Sequence, residues 1–258
     1  MNRIQSLLDS GFATAEPAPS IVEMGLFRTS GSGPRHALFA PLHYEPNYAY
    51  PLIVWLHGPG DDERQLKRIM PMISMRNYVA VAPRGTLGAA DGSDRGGYHW
   101  SQTDEQIVLA EHRVFAAIRA VEAEFNISPT RIFLAGYQCG GTMAFRLGLS
   151  HPDRFAGVLS IGGVFPEGST PLGRLLEARK LRLFLTSARD GVQYPPDKVC
   201  ENLRLIYAAG MSVNLRQYPC GDELTSHMLS DMDRWIMEQI ASPGSALADN
   251  VGEQSRKG

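Results

Sequence analysis

The segment Arg131-Ile-Phe-Leu-Ala-Gly136-Tyr137-Gln138-Cys139-Gly140-Gly141 has the frame of a site for attack on a carbonyl carbon. An apolar strand would end at Gly136 and a helix would open at Gly141, with glycines on both sides of a tight turn. Small residues two before and two after the central position let such a nucleophile elbow close. That spacing centres Gln138. Shifting the frame by one would centre Cys139, but bulky Tyr137 would then occupy a position that needs a small residue. A carboxamide has no proton whose removal yields a useful nucleophile. Cys139 is the alternative nucleophile, since a thiol at a helix N-terminus can have a lowered pKa; otherwise its side chain is expected to pack behind the turn.

A turn of this kind needs a rigid frame. Candidate strands are His36–Ala40, Leu52–Leu56, Tyr78–Ala82, Arg131–Ala135, Gly157–Ile161, Leu181–Thr186 and Ser212–Tyr218, with Ile21–Phe27 as a possible edge strand. Several are continuous apolar runs, as strands buried on both faces should be. Thr103 and Gln106 have capping-box spacing, and Val114, Ile118, Val121 and Phe125 then mark one helical face. Further helices fit Asp61–Ile69, Gly141–Leu149, Pro196–Ala209 and His227–Ile240. Strand and helix in alternation predict a mostly parallel central sheet with helices on both faces, an α/β fold.

The 258 residues suit one domain over 31–241, with residues 1–30 as an extension and the Gly/Ser-rich 242–258 as a disordered tail. With 25 Lys+Arg against 27 Asp+Glu, the net charge of -2 offers no electrostatic basis for binding nucleic acid. No apolar run is long enough for a membrane span, and the start lacks a signal-peptide layout. Cys139, Cys200 and Cys220 lie far apart, so neither a disulfide framework nor a metal site is expected. A cytoplasmic location follows as an expectation.

The chain resembles the phospholipase/carboxylesterase branch of the α/β-hydrolase family, which includes thioesterases and polymer-depolymerase relatives. The likeness rests on Tyr50-Pro-Leu-Ile-Val-Trp-Leu-His57-Gly58-Pro59-Gly60-Asp61, similar to the family's strand and oxyanion loop, and on Val81-Ala-Pro-Arg-Gly85 and Tyr98-His99-Trp100. It continues through the elbow, His151-Pro-Asp-Arg-Phe-Ala-Gly157, Ser187-Ala-Arg-Asp190, Tyr218-Pro-Cys-Gly-Asp222-Glu223 and Asp233-Arg-Trp-Ile236. What it implies is an α/β-hydrolase fold from about His36 to Ile240 and carboxylic-ester chemistry.

The same resemblance exposes three departures. The family's serine matches Gln138, and its histidine matches Asp222, while its acid, matching Asp190, is retained. A carboxylate at 222 is too weak a base to replace an imidazole near neutral pH. The residue after His57-Gly58, whose backbone N–H the family uses as an oxyanion donor, is Pro59, which has no N–H. His57 is expected to hold that loop, with Tyr137, His99 and Trp100 lining the pocket. The implied function is that of a degenerate hydrolase, a pseudoenzyme acting by binding. A small acyl or ester-like ligand or a protein partner is the expected target; no cofactor is implied, and a homodimer is possible. The alternative is an active ester hydrolase using Cys139 or a water activated by Asp190 or Asp222, with His227 as a substitute base. If Gln138, Asp190 and Asp222 converge, a water-filled remnant pocket is expected, with a cation site as the rival outcome.

Overall fold

The computed structural model describes residues 27–29, 34–88, 97–168 and 174–241. The expectations for residues 1–26 and for the tail from 242 lie outside the described residues. Strands β1 (Phe27–Thr29), β2 (His36–Phe39), β3 (Tyr50–Leu56), β4 (Val79–Pro83), β7 (Ile127–Tyr137), β8 (Gly157–Ile161), β9 (Arg182–Ala188) and β10 (Val213–Tyr218) form one sheet. Its spatial order is β1-β2-β4-β3-β7-β8-β9-β10. The pairings of β1 with β2 and of β2 with β4 are antiparallel, and every other neighbour is parallel. A two-residue ladder, β5 (Leu87–Gly88) with β6 (Tyr98–His99), stands apart.

The sheet divides the core in two. Along β3, Leu52, Val54 and Leu56 face one layer while Ile53 and Trp55 face the other, the period of two that a strand imposes. The first layer receives α2 (Asp104–Glu122) through Val114, Ile118 and Val121, and α3 (Cys139–Ser150) through Met143 and Leu147. Ile206 of α5 (Pro196–Ala208) joins it. The second receives α1 (Gln65–Ile73) and α6 (Ser226–Ala241) through Leu66, Ile69, Met228 and Met232. Both faces of the central parallel strands β3, β4, β8 and β9 are thus covered, as their apolar sequences require. A short helix, α4 (Leu175–Ala178), precedes β9.

Two local expectations are corrected. Helix α1 begins at Gln65 rather than Asp61, because the two aspartates are spent as loop acceptors. Asp62 accepts the backbone N–H of Arg64 at 2.8 Å, and Asp61 accepts the Gln65 side-chain amide at 2.9 Å. The capping box at Thr103 does not form: the helix starts after Thr103, whose side chain makes no cap bond, while Gln106 Oε1 is buried without a hydrogen-bond partner. Phe27, at the end of the expected edge strand, opens β1 and pairs antiparallel with Phe39.

Candidate functional site

The elbow falls at the C-terminal end of β7. Gln138 has φ 47° and ψ -115°, a left-handed conformation that costs a non-glycine residue about 1–3 kcal/mol. The strain is enforced by close packing. A Cβ on Gly136 would lie 2.4 Å from the Gly140 carbonyl group, and one on Gly140 would lie 2.2 Å from the Leu56 carbonyl oxygen. Backbone bonds fix both sides of the turn, from Gln138 N–H to the Ile161 carbonyl at 2.8 Å and from Thr142 N–H to the Gln138 carbonyl at 2.9 Å. Replacing Gln138 by Gly or by Ala removes the carboxamide equally, so their difference isolates the strain. The glycine variant is expected to be more stable than the alanine variant by about 1–2 kcal/mol in urea denaturation. Equal stabilities would mean the turn stores nothing.

The Gln138 side chain folds back onto a loop. Its Nε2 donates to the backbone carbonyl of Asp222 at 3.0 Å and to the Tyr137 hydroxyl at 3.1 Å, and that hydroxyl donates to the same carbonyl. The Asp222 carboxylate accepts the backbone N–H of Val192 at 2.8 Å and of Gln193 at 3.2 Å. Asp190 sits on a neighbouring loop, its N–H bonded to the Cys220 carbonyl at 3.0 Å. Its carboxylate is exposed and paired with Arg189 at 3.0 Å, a contact that holds the carboxyl below its usual range.

The loops of Asp190 and Asp222 therefore meet. The structure does not bring all three residues to one cavity: Asp190 does not border the space beside Gln138, and the part of Asp222 that reaches Gln138 is its carbonyl. Among the described residues no cluster of three metal-ligating side chains occurs. The cavity beside Gln138, bordered by Tyr137, Thr186, Asp222 and Met228, has a volume of about 10 Å³, room for one water-sized sphere. The buried Thr186 hydroxyl, which has no protein partner, borders that space.

Cys139 opens α3, half-buried and packed against the first core layer. Burial pushes its thiol up, the opposite of the activation that a helix N-terminus can give. His227 is exposed in the first turn of α6. His99 and Trp100 were expected in the pocket, yet neither borders the Gln138 cavity. Trp100 is buried in the core with its ring 5.5 Å from that of His57, and His99 pairs with Leu87 in the small ladder. Only Tyr137 of the three reaches the cavity, because its ring lies on Gly58, where a Cβ would come within 2.4 Å of it.

The oxyanion loop is held from behind. His57 is fully buried; its Nδ1 donates to the Gly58 carbonyl at 2.8 Å, and its Nε2 accepts the Gly85 N–H at 2.9 Å. Both contacts suit the neutral ring, and burial lowers its pKa although Gly58, Asp61, Asp62 and Glu63 oppose the shift. Pro59 is exposed at the tip of this loop. A histidine kept neutral in the fold contributes stability above its unfolded pKa of about 6.5 that is lost as pH falls through the lower folded value. The Tm deficit of His57→Gln against the unaltered chain is therefore expected to shrink between about pH 8 and pH 5. A deficit that is constant with pH would contradict the neutral assignment.

Behind the loop lies a feature that sequence reading missed. Arg84 donates to Glu63 through Nε at 2.6 Å and through its terminal nitrogen at 2.7 Å, and also to the Tyr98 hydroxyl at 3.0 Å. Arg113 donates to the carbonyls of Arg84 and Gly85 at 3.1 and 2.5 Å. The signal was present in the run Asp61-Asp62-Glu63 before a helix and in Pro83-Arg84-Gly85 after a strand, but nothing local pairs them.

Residues 45–186 match the phospholipase/carboxylesterase family. A Nocardia uniformis subsp. tsuyamanensis protein named "Putative esterase NocK" is 29% identical over 123 residues, covering 45% of this chain. The match takes in 34% of that relative, so the chain spans about a third of its length. The "Probable carboxylesterase Os04g0669600" of Oryza sativa subsp. japonica is 24% identical over 231 residues, 80% of this chain and 97% of the relative. Among solved structures, a carboxylesterase from Mesorhizobium loti superposes with a TM-score of 0.67 at 18% identity, over 82% of this chain and 99% of that one. Arabidopsis thaliana SOBER1 gives 0.63 at 20% identity, over 74% of this chain and all 100% of its own. At such identities the structural likeness speaks to the fold.

Proposed function

This chain belongs to the phospholipase/carboxylesterase family of α/β-hydrolases, and we propose that it is a catalytically degenerate member that acts by binding. One observation carries the reading: at the strained elbow, Gln138 presents an amide N–H already engaged with the Asp222 carbonyl. An ester carbonyl arriving there would meet a carboxamide at the elbow position in place of a serine or thiolate, and the position after the last strand that would hold an imidazole is Asp222. Pro59 removes one anion-stabilising donor as well, a loss worth roughly 100- to 1000-fold in rate. The three free cysteines are in keeping with a cytoplasmic location.

The test is covalent labelling with a fluorophosphonate, together with release of nitrophenol from short-chain esters. No adduct and no turnover above buffer are expected. Turnover that disappears in Cys139→Ala would overturn the reading in favour of a thiol enzyme, against the upward shift of that thiol. Turnover lost instead in Asp222→Asn would assign a carboxylate-activated water.

A further inference from the structure

Two adjoining grooves of about 380 and 510 Å³ lie at the end of the sheet opposite the elbow. They share Lys180, Arg182 and Gln239 and sit at the N-terminal ends of β8 and β9. At about 3.3 Å per residue, the length of β9 sets them on the order of 20 Å from the Gln138 cavity.

Their charge is one-sided. Arg131, Arg154, Arg179, Lys180 and Arg182 line the grooves against a single carboxylate, Asp153, which is itself paired with Arg174 at 2.8 Å. The contacts that orient Arg154, Arg179 and Arg182 leave their charge in place. Arg179 donates to the Ala209 carbonyl at 2.9 Å, Arg182 to the Gln239 side-chain oxygen at 2.8 Å, and Arg154 stands 5.7 Å from the centre of the Phe115 ring. Among the described residues, Arg154, Arg179, Lys180 and Arg182 have no carboxylate partner. The whole chain carries a net charge of -2, so this concentration of cations is local rather than a reflection of bulk composition.

We propose that the joined grooves bind a soluble small molecule carrying several phosphate groups. Guanidinium forks match phosphate oxygens in pairs, and cations distributed over two connected grooves suit anionic groups spaced along one ligand. Each groove has the volume of a small-molecule site. Stacked nucleobases are disfavoured because Phe133, Phe155 and Trp235 turn their rings into the core, at 6% exposure or less. A bilayer surface fits poorly as well, since the cations line concave walls. The site is distinct from the elbow and stands whether or not the elbow turns over an ester.

Isothermal titration calorimetry with inorganic tripolyphosphate tests this, with orthophosphate as the single-phosphate comparison. Saturable one-to-one binding is expected, about 10-fold or more tighter than orthophosphate and weakening steeply between about 50 and 200 mM salt. The variant Arg154→Gln/Lys180→Gln/Arg182→Gln is expected to bind at least about 10-fold more weakly at an unchanged Tm, while Arg28→Gln, which lines neither groove, binds normally. Should the triple variant unfold, Lys180→Gln alone, at an exposed side chain, is expected to lose about 3-fold. Absence of saturable heat, or equal affinity in the groove variants, overturns the proposal. So does sedimentation with phosphatidylcholine vesicles containing phosphatidylinositol bisphosphate that tripolyphosphate does not compete away.

Discussion

Replacing Gln138 by Ser, Asp222 by His and Pro59 by Leu together is expected to raise hydrolysis of short-chain nitrophenyl esters about 100-fold or more above the unaltered chain. The frame for the change already exists. A serine at 138 inherits the φ of 47° enforced by the packing of Gly136 and Gly140. It also removes the carboxamide that now occupies the space against the Asp222 carbonyl. Histidine at 222 supplies the missing base, a contribution of roughly 100- to 10,000-fold where geometry allows. Asp190 lies on the adjoining loop, tied to it through the Cys220 carbonyl, and is the carboxylate expected to orient that ring once it turns from Arg189. Leucine at 59 returns a backbone N–H. Nitrophenol release from the purified, folded variant is the measurement. A folded triple variant no faster than its parent would mean that the cavity has been remodelled beyond these three positions.

Arg84→Met is expected to cost about 3–5 kcal/mol, because it leaves the Glu63 carboxylate buried without its partner. The Glu63 side chain is 3% exposed, so water cannot replace the lost donors. In a chain of this size that destabilisation corresponds to roughly 6–20 °C in Tm. The double variant Glu63→Leu/Arg84→Met removes both charges and is expected to recover at least half of the loss, a non-additivity that a double-mutant cycle in urea measures directly. Additive losses would show that Arg84 acts through its contacts with Tyr98 rather than through the ion pair.

Much of this was legible in the sequence. Gly157–Ile161 is found as read, the run at Leu52–Leu56 gains Tyr50 and Pro51 at its start, and Leu181–Thr186 shifts to Arg182–Ala188. Unbroken apolar runs bounded by turn residues leave little choice of state. The elbow was legible for a different reason: glycines at 136 and 140 are a backbone requirement, and it is on Gln138 that the positive φ falls. Orientation was not legible. Motif order places Asp190 and Asp222 on neighbouring loops, but which way each carboxylate points depends on the N–H groups of Val192 and Gln193 and on the Arg189 guanidinium. The same limit applies to Glu63 and Arg84, 21 residues apart, whose pairing is set by the packing of α1 beside β4. Trp100 illustrates a third case, where an aromatic residue beside a loop reads equally as pocket wall or as core, and burial against His57 decides for core.

The packing around the elbow also sets which residues can change. Gln138 and Asp222 border a cavity and Pro59 stands at an exposed tip, and each already carries a Cβ that the backbone accommodates. Gly136 and Gly140 have no such freedom, since any Cβ would run into main-chain atoms at 2.4 Å and 2.2 Å. If this chain is the degenerate hydrolase proposed above, loss of the reacting groups would not release the scaffold that presents them. On that proposal, sequence drift at this site would work as a ratchet on one side only: the side chains can change while the turn cannot, and a hydrolase would stay a few substitutions away.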